Sequence, residues 1–254
     1  MIPILLKIGP LEIPSYGLCL ATGILLGWIY FNRQFRTDPN REIISSLITY
    51  SVLAGFLGAR VNYILEHTSD IASFADFFGM FFSRSGLTVY GGILAGIGFG
   101  YYYSRRHGLP TIQIMDAGAP GICIGYFFGR LGCHLSGDGD YGIPSNLPWA
   151  MGYPNGTVPT PPGVRVHPAP IYEMILYALI FAILVHLKRK QPAPGRIFAL
   201  FLILAGIERF FIEFIRLNRP LLLGLTEAQI VSVVLVFLGV WFLASPPAPA
   251  RVAA

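Results

Sequence analysis

Charged residues are scarce in this 254-residue chain. Asp, Glu, Lys and Arg together make up 12% of it, and 54% of its residues are hydrophobic. An ordinary soluble domain has about 25% charged residues, and a very hydrophobic soluble α/β domain would need polar turns every few residues. Here apolar runs of roughly 20 residues recur instead, which is the length of a membrane-crossing helix. The composition therefore predicts a polytopic membrane protein.

Cysteine is also rare, with three in the chain. Cys19, Cys123 and Cys133 lie in apolar runs, without the spacing of a disulfide framework or a metal site, and we interpret the first two as small buried hydrophobic residues. The formal charge of +5 comes from short basic clusters between apolar runs, so no nucleic-acid partner is predicted. No cleavable signal peptide is expected, because residues 1–14 contain no small-residue cleavage site.

Seven apolar segments predict an all-α fold with seven transmembrane helices. They cover residues 15–31, 43–65, 87–103, 114–134, 172–187, 197–216 and 228–245. Alternate connections carry most of the basic residues, namely Arg33, Arg36 and Arg41, then Arg105 and Arg106, then Lys188, Arg189, Lys190 and Arg196. The positive-inside bias makes these connections cytoplasmic, with the amino terminus outside and the carboxy terminus inside. We treat 1–245 as one seven-span domain and 246–254 as a disordered cytoplasmic tail.

That orientation places two distinctive segments outside the membrane. The loop 136–170 is rich in Gly and Pro and nearly free of charge, and the Phe-rich segment 70–85 is expected to form a helix lying at the membrane interface. In the third span, small residues recur from Gly91 to Gly100. They favour close helix packing over a direct ligand role for the glycines.

Two arginines lie inside apolar segments. Arg130 is near the end of the fourth span, and Arg209 is within the sixth. A guanidinium cannot lose its charge, so at membrane depth it needs an anion or a wet cavity. Two such residues on separate segments predict a shared anion site, and phosphate is the natural candidate because the guanidinium fork matches its oxygens.

The sixth segment offers a structural alternative. Arg209, Glu213 and Arg216 follow at i, i+4 and i+7 and are expected to share one helix face, with Glu208 pointing elsewhere. An ion pair between Arg209 and Glu213 alone would only hold helices together. With Arg130 added, two positive charges face one obvious carboxylate, and an anionic ligand becomes the better interpretation.

Residues 129–142 run from the fourth span into the outer loop and are dense in polar groups. His134, Asp138, Asp140 and His167 have donor atoms for a transition metal, but their spacing matches no known metal motif, so no metal is predicted. At the start of the fifth span, Pro170 suits the first turn of a helix, and Glu173 is expected to favour the dipole of that turn.

Five motifs occur in a fixed order along these seven segments. They are Tyr16-Gly17-Leu18, Tyr90-Gly91-Gly92, Gly129-Arg130-Leu131-Gly132 with Tyr141-Gly142, His167-Pro168 with Tyr172-Glu173, and Arg209 with Glu213-Phe214 and Arg216. The series resembles the bacterial prolipoprotein diacylglyceryl transferases over nearly the whole chain. The resemblance implies a seven-span helical protein of the cytoplasmic (inner) membrane that needs no metal or organic cofactor.

The resemblance also implies a reaction. The sn-1,2-diacylglyceryl group of phosphatidylglycerol would be transferred to the lipobox cysteine thiol in the signal peptide of a prolipoprotein, with release of glycerol 1-phosphate. By motif, Arg130 and Arg209 would hold the phosphate and headgroup. Tyr16 would line the lipid pocket, Glu213 would orient Arg209, and Gly142 would close the signature loop.

The chain departs from the family pattern at several positions. Tyr90 stands in place of a histidine, Cys133 of an asparagine, Pro170 of a glutamine and Ala205 of a tyrosine, and the loop 137–142 is one residue longer. The general base is therefore open, and the candidates are Tyr90, His134, Asp138 and His167, or the field of the arginines alone. Asp138 and His167 are also candidates for binding phosphatidylglycerol. Two alternatives to the transferase remain: a transporter of an anionic lipid or solute, and a lipid-binding paralogue without turnover.

Overall fold

The computed structural model describes residues 1–9, 11–68, 73–81 and 88–245, without the side chains of residues 11, 74, 75, 89 and 90. The predicted tail 246–254 lies outside the described residues, and so do parts of the segment 70–85. The chain forms two compact units, one from Met1–Phe31 with Ile112–Ala254 and one from Asn32–Thr111.

The larger unit begins with an antiparallel hairpin of strands β1 and β2, which the sequence analysis did not predict. A second short hairpin, of strands β3 and β4, precedes the last helix. The elements of this unit are β1 (Ile4–Ile8), β2 (Leu11–Pro14), α1 (Ser15–Gln34), α5 (Thr111–Ser136), α6 (Ala169–Lys188), α7 (Arg196–Ile212), β3 (Pro220–Leu222), β4 (Leu225–Thr226) and α8 (Glu227–Ala244). The other unit holds α2 (Arg41–Glu66), α3 (Phe74–Phe81) and α4 (Val89–Arg106).

Seven helices of the described chain therefore have 17 or more residues, one in each predicted segment. Four of them are long and apolar enough to cross a membrane, namely α1, α2, α6 and α8. The short α3 is the helix predicted in the Phe-rich segment, although residues 69–72 and 82–87 lie outside the described chain. The fold is mainly helical, as predicted.

Small residues let α2 and α4 pack backbone against backbone. A methyl group added at Gly92 would lie 3.2 Å from the carbonyl oxygen of Gly55, and one at Gly91 would collide with the Gly58 carbonyl and Asn62. The Asn62 amide also donates to the Thr88 hydroxyl at 2.9 Å. The prediction that the small residues from Gly91 onward serve close packing is confirmed for these glycines.

Glycines also bring α1 against α5 in the larger unit. A methyl group at Gly27 would lie 2.9 Å from the carbonyl oxygen of Gly121, and one at Gly23 would lie 2.8 Å from the Cβ of Phe128. The start of α1 is similarly close, because Gly132 leaves only 3.1 Å between such a methyl and the Cα of Tyr16. Helix α1 is thus held along α5 by main-chain contacts.

The apolar core of this unit lies among α5, α6 and α7. Its fully or nearly fully buried residues are Ala119, Cys123, Tyr177, Ile180, Leu184, Ile197, Phe201, Leu202 and Ala205. All three cysteines are buried and free, which confirms the interpretation of Cys19 and Cys123 as small buried hydrophobic residues.

Polar side chains complete two helix starts. The carboxylate of Asp116, buried on α5, accepts hydrogen bonds from the backbone N–H groups of Gly195 at 2.6 Å and Phe198 at 2.7 Å, where α7 begins. At the start of α8, Thr226 and Gln229 form a capping box. These bonds satisfy backbone donors that a helix start leaves without partners.

Helix α7 ends earlier than predicted. It stops at Ile212, a 3-10 turn covers Glu213–Ile215, and Arg216 adopts extended backbone with φ −87° and ψ 161°. The expectation that Arg209, Glu213 and Arg216 share one helix face is therefore wrong for Arg216. The apolar sequence continues through Phe214 and hides this change, and isolated bridge pairing of Arg216 with Gly142 replaces the helical bonds.

Candidate functional site

Glu173 lies at the centre of a buried ion cluster. Its side chain has no exposed surface, and its carboxylate bridges two arginines, with Oε2 2.6 Å from the Nε of Arg130 and Oε1 3.0 Å from Nη1 of Arg209. The prediction that Arg130 and Arg209 come together is thus confirmed. The interpretation of Glu173 as a residue of the first helical turn is wrong, because α6 begins at Ala169 and Glu173 is its fifth residue.

Arg130 is held from several sides. Its Nη1 pairs with the carboxylate of Asp140, and its Nη2 donates to the hydroxyl of Tyr126 at 2.9 Å. The guanidinium carbon also lies 4.9 Å from the centre of the Tyr126 ring. Tyr126 stacks in turn on Tyr177, with ring centres 3.8 Å apart. The position of Arg130 is therefore set by α5, α6 and the loop that follows α5.

A third arginine completes the cluster. Arg216 binds Oδ1 of Asp140 at 2.6 Å through Nη2, and its Nε lies 3.7 Å from Glu213. Glu213 also lies 3.1 Å from Nη2 of Arg209 and accepts a hydrogen bond from Asn218 at 2.6 Å. The contact expected between Glu213 and Arg209 is present.

The charges of this cluster correct the sequence analysis. The expectation was two cations facing one carboxylate, whereas three guanidiniums meet three carboxylates, those of Asp140, Glu173 and Glu213. The pairs are not sealed from their surroundings, because the side chains of Arg130 and Arg209 keep 14% and 22% of their surface exposed. Each guanidinium has five N–H donors, and the two contacts of Arg209 leave donors for an incoming anion.

Gly142 ties the signature loop to Arg216. Its N–H donates to the carbonyl of His167 at 2.8 Å, and the N–H of Ile143 donates to the carbonyl of Ile215 at 2.8 Å. A side chain at Gly142 would collide with that Ile215 carbonyl and lie 2.9 Å from the Cβ of His167. Only glycine allows the two chain segments to approach this closely.

Two aspartates of the loop titrate in opposite directions. Burial raises the pKa of Asp138 above its ordinary value, despite a hydrogen bond from Cys133. Burial acts the same way on Asp140, but the positive charges of Arg130 and Arg216 outweigh it and lower the pKa of that carboxyl. Asp140 therefore stays ionised, while Asp138 is the acid of the loop whose proton is released nearer to neutral pH.

One sulfur and two carboxylates of this region lie close enough together to be considered as metal ligands. Ligand atoms of Cys133, Asp138 and Asp140 lie within 4.8 Å of one another, without His134 or His167. Both oxygens of Asp140 already bind guanidiniums, and these positive charges oppose a cation at the same place. The donor set does not fit a metal ion.

The two histidine candidates lie beside other partners. The ring of His134 lies 3.1 Å from the hydroxyl of Tyr153. The ring of His167 lies 3.3 Å from the hydroxyl of Tyr172, which also accepts a hydrogen bond from Trp149 at 2.7 Å. The structure brings neither ring into hydrogen-bond contact with the arginines among the described contacts.

The two tyrosine candidates, Tyr16 and Tyr90, lie in different compact units. Tyr16 lies at the start of α1 with an exposed side chain and packs against Gly132, two residues after Arg130. Tyr90 is the second residue of α4, in the other compact unit, and its side chain lies outside the described part of the chain.

Sequence reasoning missed four residues of the cluster as site residues. Glu173 was explained by a helix start, Asp140 by a loop and Arg216 by a helix face, and Tyr126 was not singled out. One signal was available, because Tyr126 precedes Arg130 by four residues and so shares its helix face. Glu173 binds Arg209, 36 positions away, and Asp140 binds Arg216, 76 positions away, so no local periodicity connects these residues.

Comparison with known proteins gives one consistent result. The family model described as prolipoprotein diacylglyceryl transferase matches residues 3–245. Three curated proteins named phosphatidylglycerol–prolipoprotein diacylglyceryl transferase are similar to the chain. The protein of Idiomarina loihiensis is 32% identical, covering 94% of this chain and 90% of its own. That of Nitratidesulfovibrio vulgaris is 34% identical (95% and 93%), and that of Pseudomonas aeruginosa is 32% identical (94% and 91%).

The match covers every element described above, from β1 to α8. It includes the arginine cluster, the loop closed by Gly142 and the apolar helices. The chain therefore belongs to the prolipoprotein diacylglyceryl transferase family, a family of bacterial membrane enzymes.

Proposed function

We propose that this chain transfers the sn-1,2-diacylglyceryl group of phosphatidylglycerol to the lipobox cysteine thiol of a prolipoprotein and releases glycerol 1-phosphate. This is the first step of lipoprotein maturation. The observation that carries the proposal is the pair of partly exposed guanidiniums, Arg130 and Arg209, joined by the fully buried Glu173. The names of the similar proteins supply the two substrates.

The arginine pair suits a phosphodiester. Glu173 fixes the two guanidiniums relative to each other, and each planar fork can present two N–H groups to phosphate oxygens. A lysine would present a single compact charge in place of this fork. We assign Arg130 and Arg209 to the phosphate and headgroup, and Tyr16 to the wall of the lipid pocket beside Gly132.

The reaction exchanges one bond at a glyceryl carbon. The cysteine sulfur forms a bond to that carbon, the bond from the carbon to the phosphate oxygen breaks, and glycerol 1-phosphate leaves with the electron pair. Negative charge grows on the departing phosphate, and fixed guanidinium donors in a site with little water stabilise it. Removing one such donor typically costs roughly 10²–10³ in rate.

The thiol must lose its proton before or during the attack, since the thiolate is the reactive form. Of the four candidate bases, Asp138 has the best support, because its carboxyl lies next to Asp140 and Cys133 and its pKa is raised by burial. His134 and His167 rest on tyrosine hydroxyls, and they remain alternatives together with Tyr90. Unused guanidinium N–H donors of the arginines would assist by stabilising the thiolate.

The topology is part of the proposal. Seven membrane spans with the amino terminus outside would place the arginine cluster near the outer leaflet of the bacterial inner membrane. The basic clusters between alternate helices support this orientation. The outer leaflet supplies phosphatidylglycerol and other membrane lipids, and the signal peptide of a prolipoprotein presents its lipobox cysteine at the same surface.

The test combines an assay in vitro with a test in cells. Purified protein with phosphatidylglycerol and a lipobox peptide should release glycerol phosphate and yield a peptide heavier by one diacylglyceryl group. Expression should also restore growth of a bacterium depleted of its own transferase. A well-folded protein that binds phosphatidylglycerol but modifies no peptide would favour the non-catalytic paralogue, and lipid movement across vesicles without modification would favour the transporter.

Variants of the arginine pair sharpen that test. Arg130→Lys and Arg209→Lys should each lower the transfer rate by roughly 10² or more, because a point charge cannot replace a bidentate fork. Arg165→Lys is the matched control, since Arg165 is exposed on the loop after α5 and, among the described residues, its side chain donates to the backbone carbonyl of Pro148. Near-normal transfer by both cluster variants would refute the assignment of the phosphate ligands.

A further inference from the structure

Glu208 is a buried acid without a partner. It lies on α7 next to Arg209, and only 5% of its surface is exposed. Neither of its carboxylate oxygens has a hydrogen-bond partner or an ion pair within the described chain. The sequence analysis expected this side chain to point away from the charged face and gave it no role. Its isolation differs from the other acids of the cluster, each of which contacts at least one guanidinium.

The surroundings of Glu208 are those of the ion cluster. Its neighbour Arg209 lies 3.0 Å from Glu173 and 3.1 Å from Glu213, and the charges of Glu173, Arg209, Arg130 and Arg216 all act on Glu208. Burial is the largest influence on the Glu208 carboxyl, and the negative charge of Glu173 comes next.

Elementary electrostatics gives the charge of this residue. Three guanidiniums already face the carboxylates of Asp140, Glu173 and Glu213, so a fourth negative charge would be uncompensated. A buried carboxylate without hydrogen-bond donors is strongly disfavoured, and such a group takes up a proton instead. In the resting cluster Glu208 is a neutral acid.

We propose that Glu208 is a positioning residue that sets the charge of the lipid-binding cluster, because its proton keeps the cluster neutral and so permits a phosphodiester anion to bind. The inference rests on the proposed function, in which Arg130 and Arg209 hold the phosphate. With Glu208 protonated, the anion enters a cluster whose charges cancel. With Glu208 ionised, it enters a cluster that is already negative, and the added charge repels it.

Proton linkage predicts how the affinity for phosphatidylglycerol depends on pH. If phosphatidylglycerol binds only when Glu208 is protonated, its dissociation constant rises about tenfold for each pH unit above the ionisation of Glu208. The lipid contributes nothing to this slope, because its phosphodiester stays singly charged throughout the neutral and alkaline range. The cysteine thiol, which does ionise there, is absent from a binding measurement.

The experiment measures binding of phosphatidylglycerol to the full chain in phosphatidylcholine nanodiscs between pH 6 and pH 9.5. The proteins compared are the wild type, Glu208→Gln, Glu208→Met and Glu227→Gln. Glutamine has the shape of the protonated acid but cannot ionise. Glu227 is an exposed acid at the start of α8, so its variant controls for loss of a carboxylate elsewhere.

The wild type and Glu227→Gln should lose affinity at alkaline pH with the slope given above. Glu208→Gln should bind as the wild type does at pH 6 and keep that affinity at pH 9.5, and Glu208→Met serves the same comparison if the glutamine variant does not fold. Wild-type binding that is independent of pH would overturn the proposal, as would an unchanged alkaline loss in the Glu208 variants. No binding at any pH would instead refute the proposed function.

Discussion

Two buried acids of the larger unit, Asp116 and Glu173, have opposite kinds of partner. Asp116 accepts hydrogen bonds from two backbone N–H groups of the α7 start, whereas Glu173 binds the side chains of Arg130 and Arg209. Helix α5 carries Asp116 near one end and Arg130 near the other. One helix therefore contributes to both arrangements.

The difference in partners distinguishes a structural acid, Asp116, from an acid of the candidate site, Glu173. The backbone donors bound by Asp116 belong to the first turn of α7, so its carboxylate serves to fix the start of that helix. Guanidiniums that keep exposed surface and unused donors can share a carboxylate with an incoming anion. A buried acid alone is thus a poor indicator of function in this protein, and the identity of its partners is a good one.

Among variants outside the arginine pair, Gly142→Ala should have the largest effect. A methyl group there would push against the carbonyl of Ile215 and shift the neighbouring Arg216. Misplacement of cluster groups by about 1 Å can cost roughly 10² in rate, and we expect a loss of that size in the transfer assay. Gly118→Ala is the control, because a methyl group at Gly118 of α5 meets nothing within 4 Å. Equal activity of the two variants would contradict the assigned role of the loop.

Asp116→Ala tests the other end of α5. It leaves the N–H groups of Gly195 and Phe198 without their acceptor, and we expect the free energy of unfolding to fall by about 1–3 kcal/mol. The transfer rate per folded molecule should not change. Asp116→Asn keeps one acceptor oxygen and should recover part of the stability in a thermal unfolding measurement. A tenfold loss of rate with normal stability would show that Asp116 takes part in the chemistry.

Asp140→Asn should give the smallest effect, with a defined pH dependence. The lowered pKa of Asp140 means that its ion pairs contribute stability above its ordinary pKa of 3.8 and lose that contribution as the pH falls further. Because a third of the side chain is exposed, we expect less than about 1 kcal/mol. The unfolding midpoints of wild type and variant should differ at pH 6 and converge as the pH falls below 3.8.

Asp138→Asn is the matched control for that measurement. The pKa of Asp138 is raised, so the charged form at pH 6 is unfavourable in the folded protein. Its variant should be at least as stable as the wild type at pH 6. A destabilised Asp138→Asn would mean that the carboxylate, rather than the acid, is the form that the fold favours.

Long-range hydrophobic pattern was enough to locate the helices. Each of the seven predicted segments holds one helix, because twenty apolar residues favour little else in a chain with so few charges. The hydrophobic pattern did not predict where individual helices and strands end. Phe214 continues the apolar sequence after α7 has stopped at Ile212, and Ile4–Ile8 forms a strand although it is as apolar as the helices.

The candidate site was predictable only where charge stood out against apolar sequence. Arg130 and Arg209 were found because a guanidinium in an apolar segment requires a partner. Glu173 was missed because a helix start already explained an acid at that position. Its bond to Arg209 joins residues 36 positions apart, and no local spacing reports such a pair.

The glycine contacts between α1 and α5 have a consequence for how substrate enters. Gly27 lies against Gly121 and Gly132 lies against Tyr16, so at these positions the two helices pack too closely for a larger side chain. We therefore expect α1 and α5 to stay together when a lipid enters, and an opening for its acyl chains to form elsewhere. Acyl chains should approach Arg130 from a fixed direction, with α1 as a rigid wall behind them.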